Sequence, residues 1–127
     1  MELSADWNEL SERVIGAAIE VHRHLGPGYL ESVYEEALAQ EFKACGIVFE
    51  RQHVISVLYK GNPVGIARLD FIIEERLVVE LKSTEALLPL HKAQVVSYLK
   101  SSGAKLGLLI NFNVEVLRNG IRRIIFT

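Results

Sequence analysis

The sequence predicts an α/β fold in which a mixed central sheet is flanked by helices. Three observations predict it. Two amphipathic helical segments occupy the first third of the chain, three β-branched runs follow, and a further helix leads into a last buried strand. Helices placed both before and between strands suit a sheet covered on its faces. The 127 residues fit one domain, 1–127, with no repeat, linker or low-complexity segment to divide it.

The elements follow in order. Leu10, Val14, Ala17, Val21 and Leu25 recur at helical spacing. Gly26-Pro27-Gly28 then stops the helix. A second helix is expected from about Leu30 to Ala44, with Leu30, Val33, Tyr34, Ala37, Leu38 and Phe42 as its apolar stripe and Gly46 as its stop. Val54 to Tyr59 reads as a strand, and Lys60-Gly61-Asn62-Pro63 as a turn. Val64 to Ile73 and Leu77 to Lys82 read as two more strands, joined by a hairpin at Glu74-Glu75-Arg76. A helix from about Leu90 to Ser102 ends at Gly103. Lys105 to Asn111 reads as a buried strand, and Val114 to Phe126 as a hairpin around Asn119-Gly120.

Composition narrows the function classes. Half the residues are hydrophobic and 24% are charged, an ordinary globular balance. No apolar run suits a membrane span, and Met1-Glu2-Leu3-Ser4-Ala5-Asp6 does not read as a signal peptide. The single cysteine, Cys45, has no disulfide partner and no metal spacing. A cytoplasmic protein is the expectation. The net charge of −2 argues against a general electrostatic binder of nucleic acid. It leaves room for an enzyme that holds a phosphodiester through a cation. No glycine-rich phosphate loop, nucleophile elbow or zinc spacing is present.

The informative feature is charge where the pattern asks for apolar residues. In the strand Leu77-Val78-Val79-Glu80-Leu81-Lys82, alternation puts Leu77, Val79 and Leu81 on one face. Val78, Glu80 and Lys82 take the other. In the preceding strand Ala67, Leu69, Phe71 and Ile73 are expected to share an apolar face, with Arg68, Asp70 and Ile72 opposite. A hairpin at Glu74-Glu75 brings Asp70 beside Glu80. Two carboxylates held together repel, and a divalent cation relieves them. A salt bridge from Lys82 to Glu80 or Asp70 accounts for the same residues equally well.

Two further segments bear on the choice. Gln94 and Tyr98 are four apart on one helical face, and His91 lies on the same side. They flank a stripe of Leu88, Val95, Val96 and Leu99. Glu31 falls in the first turn of the second helix, where the helix dipole alone favours a carboxylate.

Together these pieces resemble the PD-(D/E)xK nuclease superfamily. Asp70 and Glu80-Leu81-Lys82 are similar to its Asp and Glu-x-Lys elements. Gln94 to Tyr98 is similar to the Gln-x-x-x-Tyr element of its RecB-like branch, and Gly28, Glu31 and Tyr34 match the pattern of the small GxxExxY proteins. The resemblance runs from about Leu10 to Asn113. Leu69 stands where the superfamily's name places a proline. The resemblance implies a restriction-endonuclease-like core of helix, three strands, helix and strand (αβββαβ). It implies a nuclease that hydrolyses phosphodiester bonds in nucleic acid, DNA foremost, with Mg²⁺ or Mn²⁺. Asp70, Glu80 and the Leu81 carbonyl would hold the ion and Glu31 would join them directly or through water. Lys82 would orient the attacking water or stabilise charge on phosphorus, with Gln94 and Tyr98 in support. A homodimer is a further expectation for a nuclease of this size.

The alternative is a non-catalytic module of the same fold that binds nucleic acid or a protein partner. Arg51, Lys60, Arg68, Arg118, Arg122 and Arg123 are the candidate contacts to a nucleic-acid backbone, each also readable as a solvated surface charge. Tyr29 is placed to stack on a base or simply to sit at the surface. His22 and His24 do not share a helical face, and His53 has no evident partner. Cys45 is expected to be a small buried hydrophobe, and Trp7 to pack the start of the first helix on the core.

Overall fold

The computed structural model describes residues 5–127; the side chain of Ala5 and the reading of residues 1–4 lie outside that range. The chain is α/β. Helices α1 (Ala5–Leu25) and α2 (Glu31–Ala44) lead into β1 (Phe49–Tyr59), β2 (Asn62–Ile73) and β3 (Leu77–Lys82). Helix α3 (Pro89–Ser102) and β4 (Leu106–Asn111) follow, then a 3₁₀ turn (Leu117–Gly120) and β5 (Ile121–Ile125). The sheet order is β1-β2-β3-β4-β5. Only β3 and β4 run parallel, as the α3 crossover between them requires. The other three pairs are antiparallel. The expected αβββαβ core is therefore α2-β1-β2-β3-α3-β4.

Both faces are covered. On one, Leu10, Val14, Ala17, Ala18 and Val21 of α1 and Tyr34, Leu38 and Phe42 of α2 pack on Phe71, Ile73, Leu77, Val79, Leu81, Leu106, Leu108 and Ile110. On the other, Val95 and Leu99 of α3 pack on Ile72, Val78, Leu109 and Ile124. Gly107 allows this second contact, because a Cβ there would lie 2.7 Å from Val95 Cγ1. None of the described helices is long and apolar enough to cross a membrane.

Several expectations are corrected. Strand β1 begins at Phe49, five residues before the β-branched run, because residues 49–53 pair with the buried end of β2. Its turn shrinks to Lys60-Gly61, both with positive φ, so that Asn62 pairs with Tyr59. Leu30 and Val33 of the supposed α2 stripe are exposed, as is Leu88 before α3. The hairpin around Asn119-Gly120 does not form. That pair lies in the 3₁₀ turn, where Gly120 is pressed against the Asn111 carbonyl, and β5 pairs with β4 instead. Cys45 is exposed beyond the end of α2, with its thiol 3.4 Å from Glu41 Oε2. His53 does have a partner, Glu50, at 2.6 Å. Trp7 does pack on the core, beneath the Arg76 guanidinium.

The most consequential correction concerns the faces of β2. Phe71 and Ile73 lie on the α1/α2 side, but Leu69 lies with Ile72 and Ile55 on the α3 side. Residues 69 and 71 should share a face, so the alternation breaks at Asp70. The neighbouring strand breaks at the same level. Gln52, between the pairs Arg51↔Phe71 and His53↔Leu69, has φ +53°. Phe49 accordingly points to one side of the sheet and Ile55 to the other.

Candidate metal centre

The site forms where β2 and β3 part. Their ladder ends at Phe71↔Val79. One step on, Asp70 and Glu80 face each other, and each carboxylate takes the other strand's free amide. The Asp70 amide donates to Glu80 Oε1 at 2.8 Å. The Leu81 amide donates to Asp70 Oδ2, also at 2.8 Å. The side chains have replaced the carbonyls that would have continued the ladder. This fixes both carboxylates without using the second oxygen of either one on the backbone.

Glu80 is buried on the α3 face of the sheet's central strand, and Asp70 is half-buried beside it. Burial and the Asp70 carboxylate push the Glu80 carboxyl up to about 8. Burial also raises Asp70, against the pull of the Leu81 amide and the Lys82 ammonium. Both groups are thereby biased toward the protonated form, as expected of carboxylates held side by side. Lys82 is half-buried two residues on, and it makes no ion pair among the described residues. Its ammonium nevertheless draws down Asp70, Glu80 and Glu31 together. A direct salt bridge is thus not what the charge cluster is built to make.

The α3 helix brings the polar face expected of it. Gln94 and Tyr98 lie four residues apart on it, and Tyr98 is pushed up by burial and by the Glu80 and Asp70 carboxylates. Gln94 and Lys82 line one open cleft with Leu90, His91, Ala93 and Ser97. His91 faces the same way but is engaged as a cap, its Nδ1 accepting the Leu88 amide at 3.0 Å.

Glu31 arrives from the opposite side of the sheet. It stands at the exposed start of α2, where partial desolvation of its carboxyl raises it, Lys82 lowers it and Asp70 raises it. The loop that places it is clamped. The buried Tyr34 hydroxyl donates to the Gly26 carbonyl at 2.6 Å and accepts the Tyr29 amide at 3.2 Å. Its ring stacks on Phe112 with centroids 4.5 Å apart. Ser83 Oγ ties the same loop to the end of β3 through the Tyr29 carbonyl, at 2.6 Å. Asn111, buried at the end of β4, holds Thr84 through its amide and carbonyl. Tyr34 is thereby a scaffold residue, and its work is to deliver Glu31.

Two residues beside the site were not singled out by the sequence. Glu35 lies one helical turn beyond Glu31, and Gln52 bridges it to Asp70. The Gln52 amide lies 2.6 Å from Glu35 Oε1 and 3.5 Å from Asp70 Oδ1. Arg51, a candidate for nucleic acid, instead pairs with Glu35 at 2.9 Å and Glu36 at 2.6 Å. The four-residue spacing of Glu31 and Glu35 was the available signal. Arg68 and Arg118 are exposed, Arg122 bonds the Asn119 and Ile121 carbonyls, and Arg123 bonds Asn8.

The donor set suits a hard divalent cation. It offers carboxylate oxygens already oriented by backbone amides, and a small ion completes such a shell with water. The Leu81 amide points at β2, and in an extended strand the same residue's carbonyl points that way too. That carbonyl lies past the end of the β2–β3 ladder. Among the described residues, no three His, Cys, Asp or Glu side chains converge as an all-side-chain cage.

A mixed sheet between two helical layers, with paired carboxylates and a lysine where two strands part, defines a restriction-endonuclease-like core. The sequence model of the PD-(D/E)XK nuclease superfamily matches residues 8–124, and the chain belongs to that superfamily. Nothing among curated proteins or solved structures matches the chain.

Proposed function

We propose that the protein is a Mg²⁺- or Mn²⁺-dependent nuclease of the RecB-like branch, in the GxxExxY group, cleaving phosphodiester bonds in DNA in the cytoplasm. The observation that carries this reading is the Asp70–Glu80 pair. Two carboxylates are held side by side at the cost of burial, and a structural role does not require that. Asp70, Glu80 and the Leu81 carbonyl would hold the ion, with Glu31 as an outer ligand through water. A divalent cation held there would supply polarisation of the phosphodiester and a more acidic water. Lys82, with no ion pair among the described residues, would supply positive charge where negative charge develops on phosphorus. Gln94 and Tyr98 present an amide and a hydroxyl from α3 toward the same space, fit to orient a phosphate oxygen or Lys82.

Calorimetric titration with Mg²⁺ and Mn²⁺ tests the reading, run on the unaltered protein, Asp70→Asn and Glu80→Gln. These variants keep the size of each side chain. Binding that both remove, together with metal-dependent cleavage of DNA oligonucleotides, is the expected outcome. Absence of binding by the unaltered protein, with and without oligonucleotide, favours a non-catalytic module of the same fold.

A further inference from the structure

We propose that the outer half of the β1–β2 hairpin is the surface through which two copies of this chain associate about a twofold axis. The sheet has two edges, and they are built differently. Strand β5 is five residues long and carries the exposed Arg122 and Arg123. Short, charged edges resist pairing with another chain. Strand β1 is eleven residues long, and among the described residues no strand lies on its outer side. From Val54 to Tyr59 it contains no charged residue. A long uncharged edge is the open template that proteins otherwise protect.

The exposed apolar side chains gather on the same hairpin. Val54, Leu58, Tyr59, Val64 and Ile66 are 45% to 63% exposed. Ile55 and Ala67 turn toward α3, so Val54, Val64 and Ile66 lie on the face away from it. The α1/α2 core does not extend over that face. Leu58 and Tyr59 stand at the end of the hairpin.

The chemistry of the patch selects a second copy as occupant. Between Val54 and Ala67 the only charge is Lys60, whose ammonium lies 5.4 Å from the centre of the Tyr59 ring. Nucleic acid binds through many cations, and this patch offers one. A twofold axis brings like residues toward like, which an uncharged patch tolerates and a charged one does not. The five side chains expose on the order of 500 Å² per copy, so burying both sets removes about 1,000 Å², the lower end for a specific interface. None of this depends on the metal site, so the test needs neither metal nor substrate.

Sedimentation equilibrium on the full chain, across its accessible concentration range, is the measurement. A reversible dimer is expected. Ile66→Asp and Ile66→Lys should each be monomeric with an unchanged circular dichroism spectrum, and an equimolar mixture of the two should regain the dimer. A monomer at every concentration overturns the proposal, as does a dimer that Ile66→Asp and Val54→Asp leave intact. A chain that stays monomeric but loses oligonucleotide binding in Ile66→Asp overturns it in favour of a nucleic-acid surface.

Discussion

The two helical layers cover the same sheet but do different work. The α1/α2 layer is thick and aromatic, with Tyr34, Phe42, Phe71 and Phe112 fully buried. The α3 layer is thin, rests on a smaller apolar cluster, and carries the polar pair Gln94 and Tyr98 beside Glu80. Asp70 lies between them, at the level where β1 and β2 turn their side chains over. It therefore meets Glu80 on one side and is tied through Gln52 to Glu35 on the other. The difference teaches that stability and chemistry can be divided by face, provided one strand irregularity lets a single carboxylate reach both.

The largest effect expected from that division is at Lys82. Lys82→Ala removes a cation from the chemical side without touching either ladder amide. Cleavage should fall by about 10²–10³-fold while Mn²⁺ affinity holds. Single-turnover cleavage beside calorimetry checks both halves. Loss of metal affinity would instead make Lys82 an organiser of the carboxylate pair.

Glu80 gives the next effect, and its sign is fixed. Its carboxyl rises from 4.5 to about 8 in the folded chain. Between those values the folded chain holds a proton that the unfolded chain has released, so metal-free stability falls as pH rises across that window. Above about 8 the loss levels off. Melting temperature against pH should show this slope, and Glu80→Gln should flatten it. A slope unchanged in Glu80→Gln would move the proton to another group.

Much of this arrangement was legible in the sequence. The period of Leu10 to Leu25, the Gly26-Pro27-Gly28 break and the alternation of Leu77 to Lys82 each report a local rule that the fold obeys. The meeting of Asp70 and Glu80 followed from hairpin register alone. The face switch did not, because it depends on Gln52 taking positive φ, a conformation that glycine or asparagine would have advertised. Asn119-Gly120 misled for the converse reason. A favoured turn pair reports local preference, whereas its place here is set by contact with the Asn111 carbonyl. Gln52 and Glu35 were missed because their link crosses from strand to helix, and periodicity does not report such contacts.

Gly107→Ala tests how closely the thin layer must sit. The added methyl would meet Val95 Cγ1 at 2.7 Å and Leu99 Cδ2 at 3.5 Å, so α3 must shift or its side chains must move. Overpacking of this kind costs about 1–3 kcal/mol. Denaturant unfolding measures the cost. Cleavage should fall further than stability alone accounts for, because α3 carries Gln94 and Tyr98. Undiminished cleavage at saturating metal would show that α3 positions nothing in the chemical step.

Tyr34→Phe makes the smallest change, on the thick side. The ring stays stacked on Phe112, and only the hydroxyl that serves the Gly26 carbonyl and the Tyr29 amide is lost. Those groups lie in a half-exposed loop, so water replaces part of the loss and about 1 kcal/mol of stability should go. If the thick layer is scaffold alone, metal affinity stays where it was. The loop also bears Glu31 and touches Ser83, next to Lys82. A fall in Mn²⁺ affinity without a matching fall in melting temperature would therefore show that Glu31 reaches the ion, and that the two layers meet at the site as well as at the sheet.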